Sequence, residues 1–314
     1  MKQLTKESLP TPFEVPEPDR VEEVRLPDGN VVLLRRHGNR EGLRLLVSHG
    51  NGFAVDMYYP LWGRFLDTFE VIVFDVRNHG WNPVGDVAGH NIPQLIKDFE
   101  IIPREVELRF GTKPTFGVYH SLSALAACLS PTRGEEYAGL FLLDPPICRP
   151  GITYEQFEVA VNVMVRRTRR RQVRFDSLQQ CTELFRSSPA YRRTVDGACN
   201  LIARSTLRWD SEARGFVLRC PRGHEALILT YFSVYTVLVN FEDMRCPVKA
   251  LGADPTLHHA FLPSFRLDEM MACSYDFLPD TTHMLFLEKP DLCAASLEEF
   301  FEDSGLVRQG RGSL

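Results

Sequence analysis

The chain lacks any apolar run near the roughly 20 residues that a helix needs to cross a bilayer. Its longest apolar segments, Leu43–Val47, Val71–Phe74 and Leu140–Leu143, are strand-sized, so no membrane span is expected. The first residues, Met1-Lys2-Gln3-Leu4-Thr5-Lys6-Glu7, carry charge with no apolar stretch behind it, which argues against a secretory leader. No Cys-x-x-Cys pair occurs. The eight cysteines (Cys128, Cys148, Cys181, Cys199, Cys220, Cys246, Cys273, Cys293) are widely spaced and read as reduced, mostly buried thiols of a cytoplasmic protein. Positive charge is not in excess. Thirty-six Lys and Arg against 41 Asp and Glu leave a net −5, which excludes a dedicated nucleic-acid binder. Lysine itself is scarce, a skew that reads as genome composition rather than function. Neither a Gly-x-x-x-x-Gly-Lys phosphate loop nor a dinucleotide fingerprint is present, and there is no internal repeat. No cofactor and no metal are therefore expected.

What remains is a globular composition, 44% hydrophobic and 25% charged, over 314 residues. That length suits two domains or one large α/β domain with an insertion. The first twenty residues, rich in Pro and charge, should lie on the surface. Val21–Arg25 and Val31–Arg36 alternate around Pro27-Asp28-Gly29-Asn30 and read as a hairpin. Near-continuous apolar strands follow at Leu43–Ser48, Val71–Asp75, Pro114–Tyr119 and Gly139–Asp144. Amphipathic helices are predicted between them at Tyr59–Phe69 and Ile92–Phe110. Strands without polar alternation, separated by helices, imply a mostly parallel sheet covered on both faces.

The alternation stops at Pro145-Pro146. About a hundred mostly helical residues, without obvious parallel strands, run to Asp243. Strands resume at Val248–Gly252 and Tyr275–Leu278, a helix spans Asp291–Phe301, and the tail Val307–Leu314 should be frayed. The organisation is thus 1–145 core, 146–243 insertion and 244–314 core.

Four segments carry chemistry. In Gly117-Val118-Tyr119-His120-Ser121-Leu122-Ser123-Ala124 an apolar strand runs straight into a helix start with Ser121 at the junction, close to the Gly-x-Ser-x-Gly nucleophile elbow. Tyr119 stands where that pattern has Gly. Ser123 is a rival with a poorer neighbour in Leu125, and a plain helix N-cap is the bland alternative. Ser48-His49-Gly50-Asn51-Gly52-Phe53 follows a strand end, where glycines let backbone N–H groups face a cleft. His283, between the last strand and the last helix, can act as a general base if a carboxylate orients it. Asp254 and Asp144 both end strands and both qualify as that carboxylate. Asp280, nearer in sequence to His283, reads as a loop residue.

The order Ser121, Asp254, His283, with the Gly loop upstream, resembles the α/β-hydrolase superfamily along nearly the whole chain. Phe74-Asp75-Val76-Arg77-Asn78-His79-Gly80 is similar to the family's D-x-R-G-x-G turn. The resemblance implies an α/β-hydrolase fold with a helical lid after the sixth strand. It also implies Ser121 as nucleophile, His283 as base and Asp254 as acid, with Asp144 as the alternative acid. The oxyanion hole would come from the N–H groups of Asn51 and Leu122, and Gly50, Gly52, Phe53 and His120 would line the substrate. The implied activity is cofactor-free hydrolysis of a small to medium, largely apolar ester or thioester. Carbon–carbon bond hydrolysis, acyl transfer, or ligand binding without turnover on the same fold are the alternatives, and a homodimer stays open. A serine at the elbow argues against the aspartate-dependent branches of the superfamily.

Weaker signals have bland readings. Six arginines in Arg166–Arg174 could form an anion site, but a solvated helix face is favoured. Phe157, Val161 and Met164 fall at helical spacing and should pack the insertion. His258-His259 lack a third ligand at convincing spacing, and His79 and His90 have no assigned role.

Overall fold

The computed structural model describes residues 13–148, 152–257 and 273–306. The first twelve residues, His258 and His259, and the tail from Val307 lie outside the described residues.

The hairpin forms as expected. Strands β1 (Arg20–Arg25) and β2 (Val31–Gly38) pair antiparallel with Arg25 opposite Val31. Then come β3 (Arg44–Ser48), α1 (Tyr59–Trp62), β4 (Glu70–Phe74), α2 (Ile92–Phe110), β5 (Thr115–His120), α3 (Leu122–Cys128) and β6 (Gly139–Leu143). The insertion holds α4 (Ile152–Arg170), β7 (Arg174–Phe175), α5 (Leu178–Ser187), α6 (Ala198–Thr206), β8 (Leu207–Asp210), β9 (Gly215–Leu218) and α7 (Arg222–Tyr235). The chain then returns through β10 (Val248–Gly252), β11 (Ser274–Phe277), α8 (Leu285–Glu288) and α9 (Pro290–Asp303).

The main sheet has eight strands in the order β1-β2-β4-β3-β5-β6-β10-β11. Only the β1–β2 and β2–β4 pairs are antiparallel. Strands β3 to β6 and β10 are buried along their whole length, which is why they read as unbroken apolar runs. Because side chains alternate, each strand feeds two cores. Leu46, Ile72, Phe74, Tyr119 and Leu142 pack with α2, α3, α4 and α7. Leu45, Val47, Val71, Val73, Val118 and Phe141 pack on the opposite face with Trp62, Phe286 and Phe301.

Helix α2 shows the local logic. Asn91 Oδ1 accepts the Gln94 N–H at 3.0 Å, Pro93 sits in the first turn, and Gly111 ends the helix at φ +87°. Its buried stripe, Ile92, Leu95, Phe99, Ile102 and Val106, repeats every three or four residues. The helix expected over Tyr59–Phe69 is shorter. It stops at Trp62 and continues as a 3-10 turn through Phe65, Gly63 being a weak helix former packed against the Tyr59 ring.

The insertion is mostly helical, as read, but it also carries an antiparallel sheet, β7-β9-β8, whose strands of two to four residues are too short to leave a period. Phe157, Val161 and Met164 are buried as expected. All eight cysteines are free thiols, and Cys246 and Cys273 are the two that are not fully buried. No described helix is long and apolar enough to cross a membrane.

Candidate functional site

Ser121 stands between β5 and α3 at φ +52°, ψ −113°, a backbone region that a side chain enters only under constraint. The constraint is visible. Its N–H donates to Leu143 O at 3.1 Å, and its carbonyl accepts the Leu125 N–H at 3.0 Å. Ser123 closes the turn from beneath. Its hydroxyl donates to His120 O at 2.9 Å and accepts the His120 N–H at 3.0 Å, so both functions of the rival serine serve the backbone. Tyr119 fits because β5 is still extended there. Its ring points away from Ser121 into the α2 face, edge-on to Phe99 and Tyr137, and its hydroxyl meets Tyr137 Oη at 2.9 Å.

Asp144 follows β6 directly, next to the strand that ends at Ser121. Its Oδ1 accepts the Ala253 N–H at 3.1 Å, and its Oδ2 lies 2.5 Å from His283 Nδ1. Both residues are buried. Asp254, the first choice of acid from sequence, is elsewhere. Its Oδ1 accepts the N–H and hydroxyl of Thr256 at 2.8 and 2.6 Å, and its Oδ2 accepts the Asp280 N–H at 2.8 Å. These bonds hold its carboxyl below the ordinary range and spend it on tying two loops together. The reason is geometric. Asp144 N–H donates to Leu251 O at 2.8 Å, placing Asp144 level with the end of β10, whereas Asp254 lies beyond that end.

The His283 loop is fixed from two sides. Glu288 accepts the Thr282 N–H and hydroxyl at 2.6 and 2.7 Å. His283 O accepts from His120 Nε2 at 3.0 Å. Since that nitrogen donates, His120 Nδ1 must accept, and it takes the Tyr58 hydroxyl proton at 2.6 Å. Tyr58 Oη in turn accepts the Gly50 N–H at 3.0 Å. One chain of bonds therefore joins the Gly loop, the residue before Ser121 and the histidine loop. Burial pushes His120 well below its ordinary pKa, which keeps it neutral and suited to this relay of contacts.

The Gly loop passes directly over Ser121. A Cβ on Gly50 would fall 2.7 Å from His120 Nδ1 and 3.1 Å from Ser121 Cβ, so the approach requires glycine. Gly50 N–H is taken by Tyr58, and Gly52 N–H by His79 Nε2 at 3.0 Å. Phe53 N–H turns back to Gly50 O at 3.2 Å. Among the described residues the Asn51 N–H meets no acceptor. Leu122 opens α3, so its N–H has no partner one turn back. Two free donors beside a serine can stabilise an oxyanion. Phe53 stacks on His120 at 6.0 Å, and Phe286 stacks on Tyr58 at 3.8 Å, giving an aromatic wall.

The insertion touches this loop. Asn51 Nδ2 donates to Glu225 O at 2.9 Å, and the Glu225 carboxylate packs where a Gly52 side chain would be. Glu225 is buried and paired with Arg171. Arg166, Arg167, Arg169 and Arg170 are exposed, the solvated face expected of that run, while Arg171 turns inward. Sequence reasoning did not find Tyr58, Arg171, Glu225 or Glu288 as parts of the site. Only the arginine run gave a hint, and it did not separate Arg171 from its neighbours. Asp75 of the D-x-R turn accepts the Val55 and Trp81 N–H groups at 2.8 and 3.0 Å, and Arg77 is held by Asp98 and Asp28, so that motif braces the loops. Among the described residues, the groups spaced to hold a metal are His79, His90 and Cys220, beneath the Gly loop rather than at Ser121.

The sequence profile of the Alpha/beta hydrolase family matches residues 45–296. No curated protein sequence matches the chain. Solved structures do. E-2-(acetamidomethylene)succinate hydrolase superposes with a TM-score of 0.72 at 16% identity, covering 90% of this chain and 99% of its own. The thioesterase domain from the curacin biosynthetic pathway gives 0.66 at 15%, covering 89% and 100%. A thermophilic esterase from Thermogutta terrifontis gives 0.61 at 17%, covering 91% and 99%. At such identities the likeness is one of fold.

Proposed function

The chain belongs to the alpha/beta hydrolase family, and from that premise we propose that it hydrolyses a carboxylic ester or thioester through Ser121, His283 and Asp144. The observation that carries this is Ser121 at positive φ above β5, next in sequence to His120, whose ring lies 4.4 Å from that of His283, a histidine whose Nδ1 faces a buried carboxylate at 2.5 Å. Asp144 holds the proton of His283 on Nδ1, which leaves Nε2 with the lone pair. Ser121 Oγ attacks the acyl carbon while Nε2 takes its proton. The N–H groups of Asn51 and Leu122 stabilise the oxyanion, at a few kcal/mol each. Collapse expels the alcohol or thiol, which leaves with the proton from His283, and forms the acyl-enzyme. Water, deprotonated by the same Nε2, then releases the acid.

Asp254 drops out of the reacting set and acts on loop geometry. Residues 146–243 act as a lid over the core formed by 1–145 and 244–314, since Glu225 meets the Gly loop. Phe53 and Phe286 favour an apolar acyl group. The test is labelling with a fluorophosphonate probe, alongside hydrolysis of short p-nitrophenyl esters. Labelling and turnover in the wild type, both lost in Ser121→Ala, are expected. A folded wild type that takes no label, or a Ser121→Ala variant that still does, would overturn the reading and favour ligand binding without turnover.

A further inference from the structure

His79, His90 and Cys220 serve no step of that hydrolysis. They come from three separate segments: the turn after β4, the residue before the α2 cap, and the link from β9 to α7. All three are buried, and one ring nitrogen of each histidine and Cys220 Sγ lie within 4.8 Å of one another. The two rings are tilted at 5.5 Å between centroids, and His224 also packs on His90, at 5.1 Å.

Two details point to a ligand rather than to a finished core. His90 is fully buried, yet among the described residues its Nε2 has no hydrogen-bond partner. An unpaired polar atom in such a place is destabilising, so a well-filled core would satisfy or replace it. His79 already has the tautomer that metal-binding histidines adopt. Its Nδ1–H donates to Arg77 O at 2.9 Å, which leaves Nε2 as a lone-pair donor. That nitrogen now accepts the Gly52 N–H.

We propose that His79, His90 and Cys220 bind one Zn2+ ion, and that binding withdraws His79 Nε2 from Gly52 and so loosens the Gly loop over Ser121. Two nitrogens and a sulfur suit zinc, with Zn–N at about 2.0–2.1 Å and Zn–S at about 2.3 Å. Tetrahedral geometry then asks for ligand atoms roughly 3.3–3.6 Å apart, a closure of at most about 1.5 Å from separations that are all within 4.8 Å. Burial pushes His90 down to about 3 and His79 well down, so both rings are neutral near pH 7. The Cys220 thiol is pushed up by burial and loses its proton to solvent as the Zn–S bond forms. His90 Nδ1 now accepts from Asn78 Nδ2 at 3.0 Å. Loading Nε2 therefore moves the ring proton to Nδ1 and turns the Asn78 amide, whose Oδ1 at present takes the Gly85 N–H at 2.6 Å. Zinc bound by two imidazoles and a thiolate is held strongly enough to carry that rearrangement.

The test uses the full chain stripped with a chelator and titrated with Co2+, then with Zn2+. One equivalent of Co2+ should produce a thiolate-to-cobalt charge-transfer band that Zn2+ bleaches. Losing an outer partner of a metal ligand weakens binding about 10–100-fold, so losing a ligand in His90→Gln should weaken it by about 100-fold or more. Cys220→Ser should abolish the band while keeping the wild-type circular dichroism. Cys220→Ala, which is smaller and apolar, serves if the serine variant does not fold. No band in the wild type, or a band that survives loss of Cys220, overturns the proposal. These readouts do not depend on hydrolysis. Slower probe labelling of Ser121 with Zn2+ than without it, absent in Cys220→Ser, is the separate check on the link to the Gly loop, and unchanged labelling of the zinc-loaded wild type overturns that link.

Discussion

Replacing Asp144 by Asn changes one oxygen to an amide and little else, so its effect isolates the carboxylate. Asp144 serves two partners: Oδ1 takes the Ala253 N–H at 3.1 Å and Oδ2 faces His283 Nδ1 at 2.5 Å. Asparagine can satisfy only one of them with oxygen. If the oxygen stays on Ala253, the amide N–H2 faces Nδ1, which must then accept. The His283 proton moves to Nε2, the lone pair proposed to deprotonate Ser121 is lost, and the imidazolium has no counter-charge. If the amide flips, the buried Ala253 N–H faces a donor, at about 1–3 kcal/mol. The first arrangement is the one that disables the serine. In a comparable Ser-His-Asp set the wrong tautomer lowers kcat about 10⁴-fold, which is about 5.4 kcal/mol of barrier at 1.36 kcal/mol per decade. We expect Asp144→Asn to slow both fluorophosphonate labelling and ester turnover by about 10³–10⁴-fold while folding normally by circular dichroism. Asp254→Asn should stay within about threefold, since its partners are Thr256 and Asp280. Labelling that is abolished by Asp254→Asn and kept within tenfold by Asp144→Asn would refute the assignment.

Two further outcomes follow from the buried network. Tyr58→Phe should keep the 3.8 Å stack on Phe286 but strand the Gly50 N–H and His120 Nδ1. With about 1–3 kcal/mol for each of the two buried groups left unpaired, a loss of about 2–6 kcal/mol in urea unfolding is expected, along with slower labelling; a loss under about 0.5 kcal/mol would show that the relay is not structural. His37, buried against Trp62, is pushed down to about 4 by burial and by Arg35. Its folded pKa lies below the unfolded 6.5, so the stability it contributes is full above pH 6.5 and drains away as pH falls toward 4. The wild type should therefore lose about 1.2 kcal/mol more than His37→Phe between pH 6 and pH 5; parallel stability curves would exclude that linkage.

Much of this architecture is legible in the chain because the residues that build it carry strong local signals. Strands buried on both faces must be apolar throughout, and β3, β4, β5, β6 and β10 stand out for that reason. Ser121 stands out because a strand meets a helix there with no loop between. The relay through Tyr58 leaves no such trace. Tyr58 lies in a 3-10 turn, and nothing local distinguishes a tyrosine that receives a backbone N–H from one that fills space. Arg171 is equally hidden, since one residue of rotation along a basic run decides whether a guanidinium meets water or a buried glutamate.

The carboxylate that meets His283 shows where local signals end. Asp144 and Asp254 both follow apolar strands, and both resemble the orienting carboxylate. What separates them is the stagger of two neighbouring strands: Leu143 pairs with Leu251, so the residue after Leu143 comes level with Gly252. Asp144 leaves β6 at φ +37°, a conformation that asparagine and aspartate tolerate better than most residues. Asp254 lies two residues past Gly252 and reaches across to the Asp280 turn instead. Register between strands more than a hundred residues apart is set by the packing of both sheet faces together, and no spacing within either segment encodes it.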